Sequence, residues 1–557
     1  MFTMDSLAFL AIAVAILFAA VQRGGDGART MSEKTHRAIC GAAIAAGVLV
    51  RLARLTSLPA GISAEEALVG VQAKALWQTG GFLFGQGLTT QLSQWAGETT
   101  GPLLAVLTAL FVGLFGLSKL TVRLPLALLS CAAMPAAYGL GEALSGRRAA
   151  RWMLTIAALC PIFVLEARMT CGSCAALYLL PIALCLIARG VTKPAALYPG
   201  MIVLALTAYA QDMYFFIAPA AILACAIIAL IFGRRKRHAA ISGTIGLLLC
   251  VPAMLTAFVN LTGAEGMTLL GLIRIPRLEG FEKAFMAENR SVGDKLWAVL
   301  IGGVFQVLRH ENIHQAMYTP DGMLALFMFS LPLMVLGTLA LFARWTDGRR
   351  AAREKAAARA MAAATCAVTL AALVMFGSVG TLNTNGTTGL FDHSALILFD
   401  TVLMTAGLCT IERKNLRCAT AMGALMAVNF AWLAVQLFGG RYQANANVYF
   451  PGFEQMAARA AEIQAETGEK INVTCNVYPH IQPSDGAEMM FLYATDADMR
   501  TAEAERGTRY ETIYVSDDMQ PEADQIYLAR ADEISNWDLE GFDYEESEGY
   551  ALIYPAR

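Results

Sequence analysis

Charge is scarce in this chain: 42 Lys+Arg and 44 Asp+Glu among 557 residues, 15% in all, against 57% hydrophobic residues and a mean hydropathy of +0.52. A soluble globular domain carries about 25% charged residues, so the composition excludes an ordinary soluble protein. Histidine is scarcer still, at 6 residues. His310 and His314 stand at i, i+4 but have no third ligand nearby in sequence. Disulfides have little to work with: 11 of the 12 cysteines lie in or beside apolar blocks, where Cys behaves as a small hydrophobe, and only Cys475 falls in the polar C-terminal segment. Cys171-Gly-Ser-Cys174 has metal or redox spacing but no second pair. No metal, cofactor or nucleic-acid partner is expected.

The apolar residues come in long blocks, which makes a polytopic membrane protein the expectation. Six short basic clusters interrupt them: 23–37, Arg147-Arg148 with Arg151, Arg189 with Lys193, 234–237, 344–359, and Arg413-Lys414 with Arg417. Positive charge in short loops marks the cytoplasmic side. Placing all six inside requires about 12 crossings of roughly 20 residues, near 7–22, 38–57, 124–145, 152–168, 172–188, 195–211, 213–232, 239–260, 322–343, 358–379, 389–411 and 417–439. Both termini then lie outside. The apolar run 102–117 would invert every later loop if it crossed, so it reads as a juxtamembrane or re-entrant helix within a first external loop, 58–122. Segment 7–22 lacks a basic n-region and reads as an anchor helix. A long external loop, 260–321, carries Arg274, Arg277, Lys295, Arg309, His310 and His314.

Net charge, −2 overall, conceals two environments: residues 451–557 hold 23 acidic against 7 basic side chains, which leaves 35 basic and 21 acidic before them. The expected domains are thus a membrane domain, 1–440, and an acidic soluble domain, 451–557. The latter reads as a small α/β fold, with a helix over 453–467 ending at Gly468 and strands near 471–475, 489–493, 512–515, 525–529 and 550–554.

The chemistry is expected at Glu65-Glu66, two carboxylates in Pro59-Ala-Gly-Ile-Ser-Ala-Glu-Glu just beyond an apolar span. Carboxylates at the mouth of a bilayer must be desolvated, paired or used. The bland alternative is a solvated turn that caps the following segment. Arg123 and Arg168, at external helix ends, are cations whose planar donors suit two oxygens of an anion such as a phosphate. Their structural alternatives are interfacial snorkelling and local pairing with Glu166. Asp212, between Tyr209 and Tyr214, is a further polar candidate, and Trp77 and Trp95 read as interfacial anchors.

Several motifs occur together: Arg51…Arg54-Leu-Thr-Ser-Leu-Pro59-Ala-Gly61…Glu65-Glu66-Ala67, then Thr100-Gly-Pro102-Leu, Leu114-Phe-Gly116 and Val122-Arg123-Leu-Pro125. Their order and spacing resemble the N-terminal region of membrane glycosyltransferases of the GT-C superfamily, in particular bacterial relatives of protein O-mannosyltransferases and of the aminoarabinose transferase that modifies lipid A. The resemblance continues through Pro161…Glu166-Ala-Arg168, Tyr209 to Pro219 and Tyr318 to Gly337. It implies an all-α polytopic domain with juxtamembrane helices and a small extracytoplasmic α/β domain. It also implies transfer of a sugar with inversion, on the outer face, from a polyprenyl-phosphate donor to a protein, glycolipid or cell-wall acceptor. The family's general base falls on Glu65, where Asp is usual, and its second acidic residue on Glu66. A family Arg near a late external helix corresponds to Phe391-Asp-His393-Ser, which adds His393 to the substrate-binding candidates. A transporter or flippase of lipid-linked sugars would also have a dozen spans, but no internal repeat is present and the notable charges cluster at one face. A non-catalytic scaffold would leave Glu65 dispensable.

Overall fold

In the computed structural model, the described residues are 4–22, 31–93, 99–170, 174–210, 214–233, 235–277, 293, 326–346, 353–375, 394–439, 450–474, 485–515 and 519–556. Helices dominate. The N-terminal part contains α1 (Met4–Gln22), α2 (Glu33–Leu52), α3 (Ala64–Thr79), α4 (Leu103–Phe115), α5 (Lys119–Ser145), α6 (Arg147–Leu159), α7 (Pro161–Leu165), α8 (Cys174–Gly190), α9 (Leu197–Leu206), α10 (Tyr214–Phe232) and α11 (Lys236–Thr262). The bundle is completed by α12 (Ser330–Thr346), α13 (Arg353–Met375), α14 (Ser394–Lys414) and α15 (Leu416–Phe438).

Each expected crossing is occupied by helix, but length divides them. Among the described residues, α2, α5, α10, α11 and α15 are long and apolar enough to cross a membrane, and α6 with 161–168 forms a pair bent by 59°. Leu7–Ala20, Leu103–Phe115, Cys174–Gly190, Pro194–Tyr209 and Ser330–Phe342 are shorter apolar helices, and α13 and α14, of 23 and 21 residues, fall in neither group. Segment 102–117 yields α4, 13 residues long, which packs on α3 through Ala109 and Val112 and turns Leu110, Leu114 and Phe115 outward. Large apolar side chains also face outward from the bundle, among them Leu248, Phe258, Phe342 and Val435, as a lipid solvent permits. Small residues bring helices together: an added Cβ on Gly337 of α12 would lie 1.9 Å from the Leu403 carbonyl of α14, and one on Gly407 would lie 2.3 Å from that of Leu333.

Described residues of the basic clusters meet at one end of the bundle. Arg147 and Arg37 bond Glu33, Arg151 bonds Glu412 with Trp152, Arg353 bonds the Ile231 carbonyl and Arg359 that of Leu144. Arg189 lies against Gly139 of α5. Glu65 lies at the other end, beyond the C-terminus of α2. So does Lys119 at the start of α5, which pairs with Glu454 of the C-terminal domain at 2.7 Å.

That domain is α/β, with one reassignment. A five-stranded sheet in the order β2 (Tyr510–Ile513), β1 (Lys470–Thr474), β3 (Gln525–Arg530), β5 (Tyr550–Pro555), β4 (Phe542–Ser547) is backed by α16 (Pro451–Thr467) and α17 (Asp485–Ala494). β1 runs parallel to both neighbours, and β3, β5 and β4 form an antiparallel meander. The segment 489–493, expected as a strand, is helical. Its Met-Met-Phe-Leu-Tyr run is apolar without alternation, so periodicity could not separate a buried helix from a buried strand. β4 gives no strand signal in sequence because half of its six side chains are acidic and half are exposed.

Candidate active site at the N-terminus of helix α3

The loop from α2 to α3 is held from beneath by two buried arginines. Arg168 sits on a 3₁₀ turn (Glu166–Arg168) that extends α7, and directs Nη1 to the carbonyls of Val50, Arg51 and Ala53, and Nη2 to those of Arg54 and Leu58. Arg123, in the first turn and a half of α5, takes the carbonyls of Leu55 and Pro59 on Nη1 and that of Gly61 on Nη2. A third, Arg51, ties α2 to the carbonyls of Ala157, Ala158 and Phe163 at the α6–α7 bend. All three are at most 1% exposed. The C-terminal carbonyls of α2 and α6, which a helix leaves unsatisfied, are thus met by guanidinium.

The loop ends at Ser63, which caps α3. Its hydroxyl accepts the Glu66 N–H at 3.2 Å, and its own N–H reaches Glu66 Oε2 at 3.4 Å. This capping box, Ser-x-x-Glu, was readable from the sequence and signals a structural part for Glu66. Arg123 completes it: Nε donates to Glu66 Oε1 at 2.9 Å and Nη2 to Oε2 at 2.8 Å, a bidentate pair that is 0% and 1% exposed in its side chains. The Thr170 N–H adds a contact to Oε1 at 3.3 Å. Glu66 is therefore locked.

Glu65 is different. One residue rotates the chain about 100° around a helix axis, so adjacent carboxylates point apart. Glu65 is partly exposed, and among the described residues no donor or cation contacts its carboxylate. Burial, and secondarily the charge of Glu66, push its carboxyl up to about 7 from the ordinary 4.5. A carboxylate at that value exchanges a proton near neutrality, as a general base requires.

The arginines expected to hold a phosphate do not present themselves for it. All five N–H groups of Arg123 are on protein acceptors, and the four Nη hydrogens of Arg168 point at carbonyls of the α2–α3 loop. That arrangement leaves Arg123 nothing to offer a phosphate oxygen. Their signal in sequence was misleading because a helix-end arginine near the interface looks the same whether it faces ligand or backbone. A cation that sequence reasoning passed over is Arg54, exposed, with φ 51°, and contacted by no acceptor among the described residues. Asp212 and His393 lie outside the described residues, as do Trp95, Cys171, His310, His314 and Cys475. Trp77 is 52% exposed and covers Gly113 of α4.

No protein-family model and no curated protein matches the sequence. Among solved structures, the fold is similar to the apo oligosaccharyltransferase of Archaeoglobus fulgidus, with a TM-score of 0.46, 12% identity, and coverage of 86% of this chain and 64% of that one. The chain thus spans less than two thirds of that protein's length. It is also similar to ArnT of Cupriavidus metallidurans bound to undecaprenyl phosphate, with a TM-score of 0.46, 13% identity, and coverage of 92% and 97%. The apo state of ArnT gives 0.45 and 14%, with coverage of 94% and 98%.

Proposed function

We propose that this chain is an inverting glycosyltransferase of the GT-C type, which moves a sugar from a polyprenyl-phosphate donor to an acceptor on the outer face of the membrane, with Glu65 as general base. The observation that carries the reading is the asymmetry of the acidic pair: Glu66 is consumed by Arg123 and the Ser63 cap, while Glu65 shares its carboxylate with no donor among the described residues and has its proton affinity raised to about 7. In the reaction, ionised Glu65 accepts the proton of the acceptor hydroxyl. The oxygen attacks the anomeric carbon from the face opposite the phosphate, the carbon–oxygen bond to phosphate breaks, and the electron pair leaves with polyprenyl phosphate. Configuration inverts.

In this reading Glu66 positions rather than reacts. Arg123 and Arg168 are reassigned from phosphate binding to holding the α2–α3 loop, and Arg54 becomes the candidate cation for the leaving phosphate. Asp212 and His393 stay as candidates for contacting substrate. The gathering of basic residues at one end of the bundle supports, through the positive-inside rule, a cytoplasmic basic end with Glu65 and the C-terminal domain outside.

The test is transfer by purified protein in lipid nanodiscs, given a polyprenyl-phosphate sugar and an envelope extract as acceptor. Glu65→Gln, nearly isosteric and uncharged, should lower kcat by about 10²- to 10⁴-fold with donor binding retained, and Glu65→Asp should keep measurable activity. Full transfer by Glu65→Gln would remove the base assignment. Translocation of lipid-linked sugar without any product would identify a transporter instead.

A further inference from the structure

The C-terminal domain and α3 share one hydrophobic core. Ile62, Ala67, Leu68 and Val71 on one side, and Phe450, Phe453, Met490 and Leu492 on the other, belong to a single buried cluster that runs on into the sheet at Ile526 and Leu528. The α3 stripe that enters it, Ala64, Ala67, Leu68, Val71 and Ala75, follows helical spacing, and three of its five residues are alanines. Alanine contributes little area of its own, so the large side chains of α17 supply the volume. Polar contacts frame the core. The Phe450 N–H donates to the Ile62 carbonyl at 3.3 Å, Lys119 pairs with Glu454 and Lys74 with Asp496, each at 2.7 Å, and the Met499 N–H reaches Gln78 at 2.9 Å. An added Cβ on Gly61 would lie 2.7 Å from the Pro451 nitrogen, so the start of the domain rests on the loop that leads into Ser63.

At about 100° per residue, this stripe and Glu66 lie on opposite sides of α3, and Glu65 lies between them. The first turn of α3 is therefore gripped from beneath by Arg123 through Glu66 and from above by the C-terminal domain. An isolated helix of this length is marginal in water, so its orientation comes from those two grips.

We propose that the C-terminal domain is the outer half of the socket that aims the Glu65 carboxylate, with Phe450, Glu454 and Asp496 as positioning residues, so that its docking on α3 is required for turnover. This rests on the general-base reading of Glu65. A core shared across the junction sets it apart from an independently folded module joined by a linker. Displacement of a reacting group by about 1 Å costs about 10²-fold in rate, so a modest loosening of the outer grip is enough to be seen.

The test uses the full chain in nanodiscs. Lys119→Glu and Glu454→Lys each set like charges against one another at the junction, and the double swap restores attraction. Each single variant should lower kcat about 10-fold or more with the donor KM little changed, and the swap should recover most of it. Gly70→Leu, whose side chain would press on Tyr493, Val122 and Leu117, should behave like the single reversals. A second readout separates positioning from mere stability. The charge nearest Glu65 is Glu66, itself paired with Arg123, and burial is the main reason for its raised proton affinity. A loosened socket that admits water should move the acid limb of kcat from near 7 toward the ordinary 4.5, and the swap should move it back. Unchanged kcat and an unmoved acid limb in all three single variants would overturn the inference. Glu65→Gln run alongside keeps the two readings apart: if it is inactive while the junction variants are normal, only the role of the C-terminal domain is lost. If it is active, the base assignment falls first.

Discussion

Glu65 and Glu66 are chemically identical neighbours with opposite circumstances, and pH separates them. With its carboxyl near 7 rather than 4.5, Glu65 is a competent base only above that point. kcat/KM should therefore rise with pH to a plateau, halving near 7 and falling about tenfold per unit below it, as a single ionisation does. A limb centred near 4.5 would mean that Glu65 is not the group titrating. The same shift bears on stability. A folded-state value above the unfolded one makes the ionised form a cost to the fold. The stabilising contribution of protonated Glu65 is full below about 4.5 and is lost as pH rises through 7. Glu65→Gln, which cannot ionise, should melt no lower than the unsubstituted protein at pH 8 by thermal unfolding, even though its activity is gone. At Arg54 the backbone adopts a left-handed conformation that an arginine rarely takes without cause. Arg54→Gln should raise the KM for the lipid donor and leave that for the acceptor alone; an unchanged donor KM would make Arg54 a surface cation only.

The α2–α3 loop keeps its shape through its carbonyls. Eight backbone oxygens between Val50 and Gly61 point at Arg123 or Arg168, and the Glu66 carboxylate shares the Arg123 fork. Lysine cannot reproduce a planar five-donor fork. Arg123→Lys should therefore destabilise the fold by about 3–5 kcal/mol, as breaking a buried ion pair does, and impair donor and acceptor kinetics together. A rise in donor KM alone, with full thermal stability, would instead restore Arg123 to the phosphate. Nothing in a helix-end arginine's sequence context distinguishes these roles, because the distinction lies in which carbonyls the fold brings within hydrogen-bond reach of it.

For the whole molecule, opposite ends of the bundle differ in charge. Described residues of the basic clusters gather at one end, while Glu65 and the acidic domain occupy the other. On intact cells, a single cysteine placed near Gly80 or Gly507 in a background without other cysteines should react with an impermeant thiol reagent, and one near Arg235 should not. Labelling at Arg235 would reverse the orientation and move the proposed site to the cytoplasm.

Hydropathy and the spacing of basic loops were enough to locate the helices of the bundle, the extra helix at 103–115 and the acidic α/β domain, because these depend on averages over many residues and a lipid solvent enforces them strictly. The pair Glu65-Glu66 was also legible, since two carboxylates beside a span are costly anywhere else. Three things were decided only by tertiary structure. Which glutamate is paired depends on α5 delivering Arg123 from 57 residues away. That Arg123 and Arg168 grip a loop rather than face a ligand depends on which carbonyls surround them. That the C-terminal domain shares a core with α3 depends on contacts spanning about 420 residues of chain, such as Lys74 with Asp496. Local pattern reports how a segment meets its solvent, whereas the partner of a charged group is set by long-range packing that no window of sequence contains.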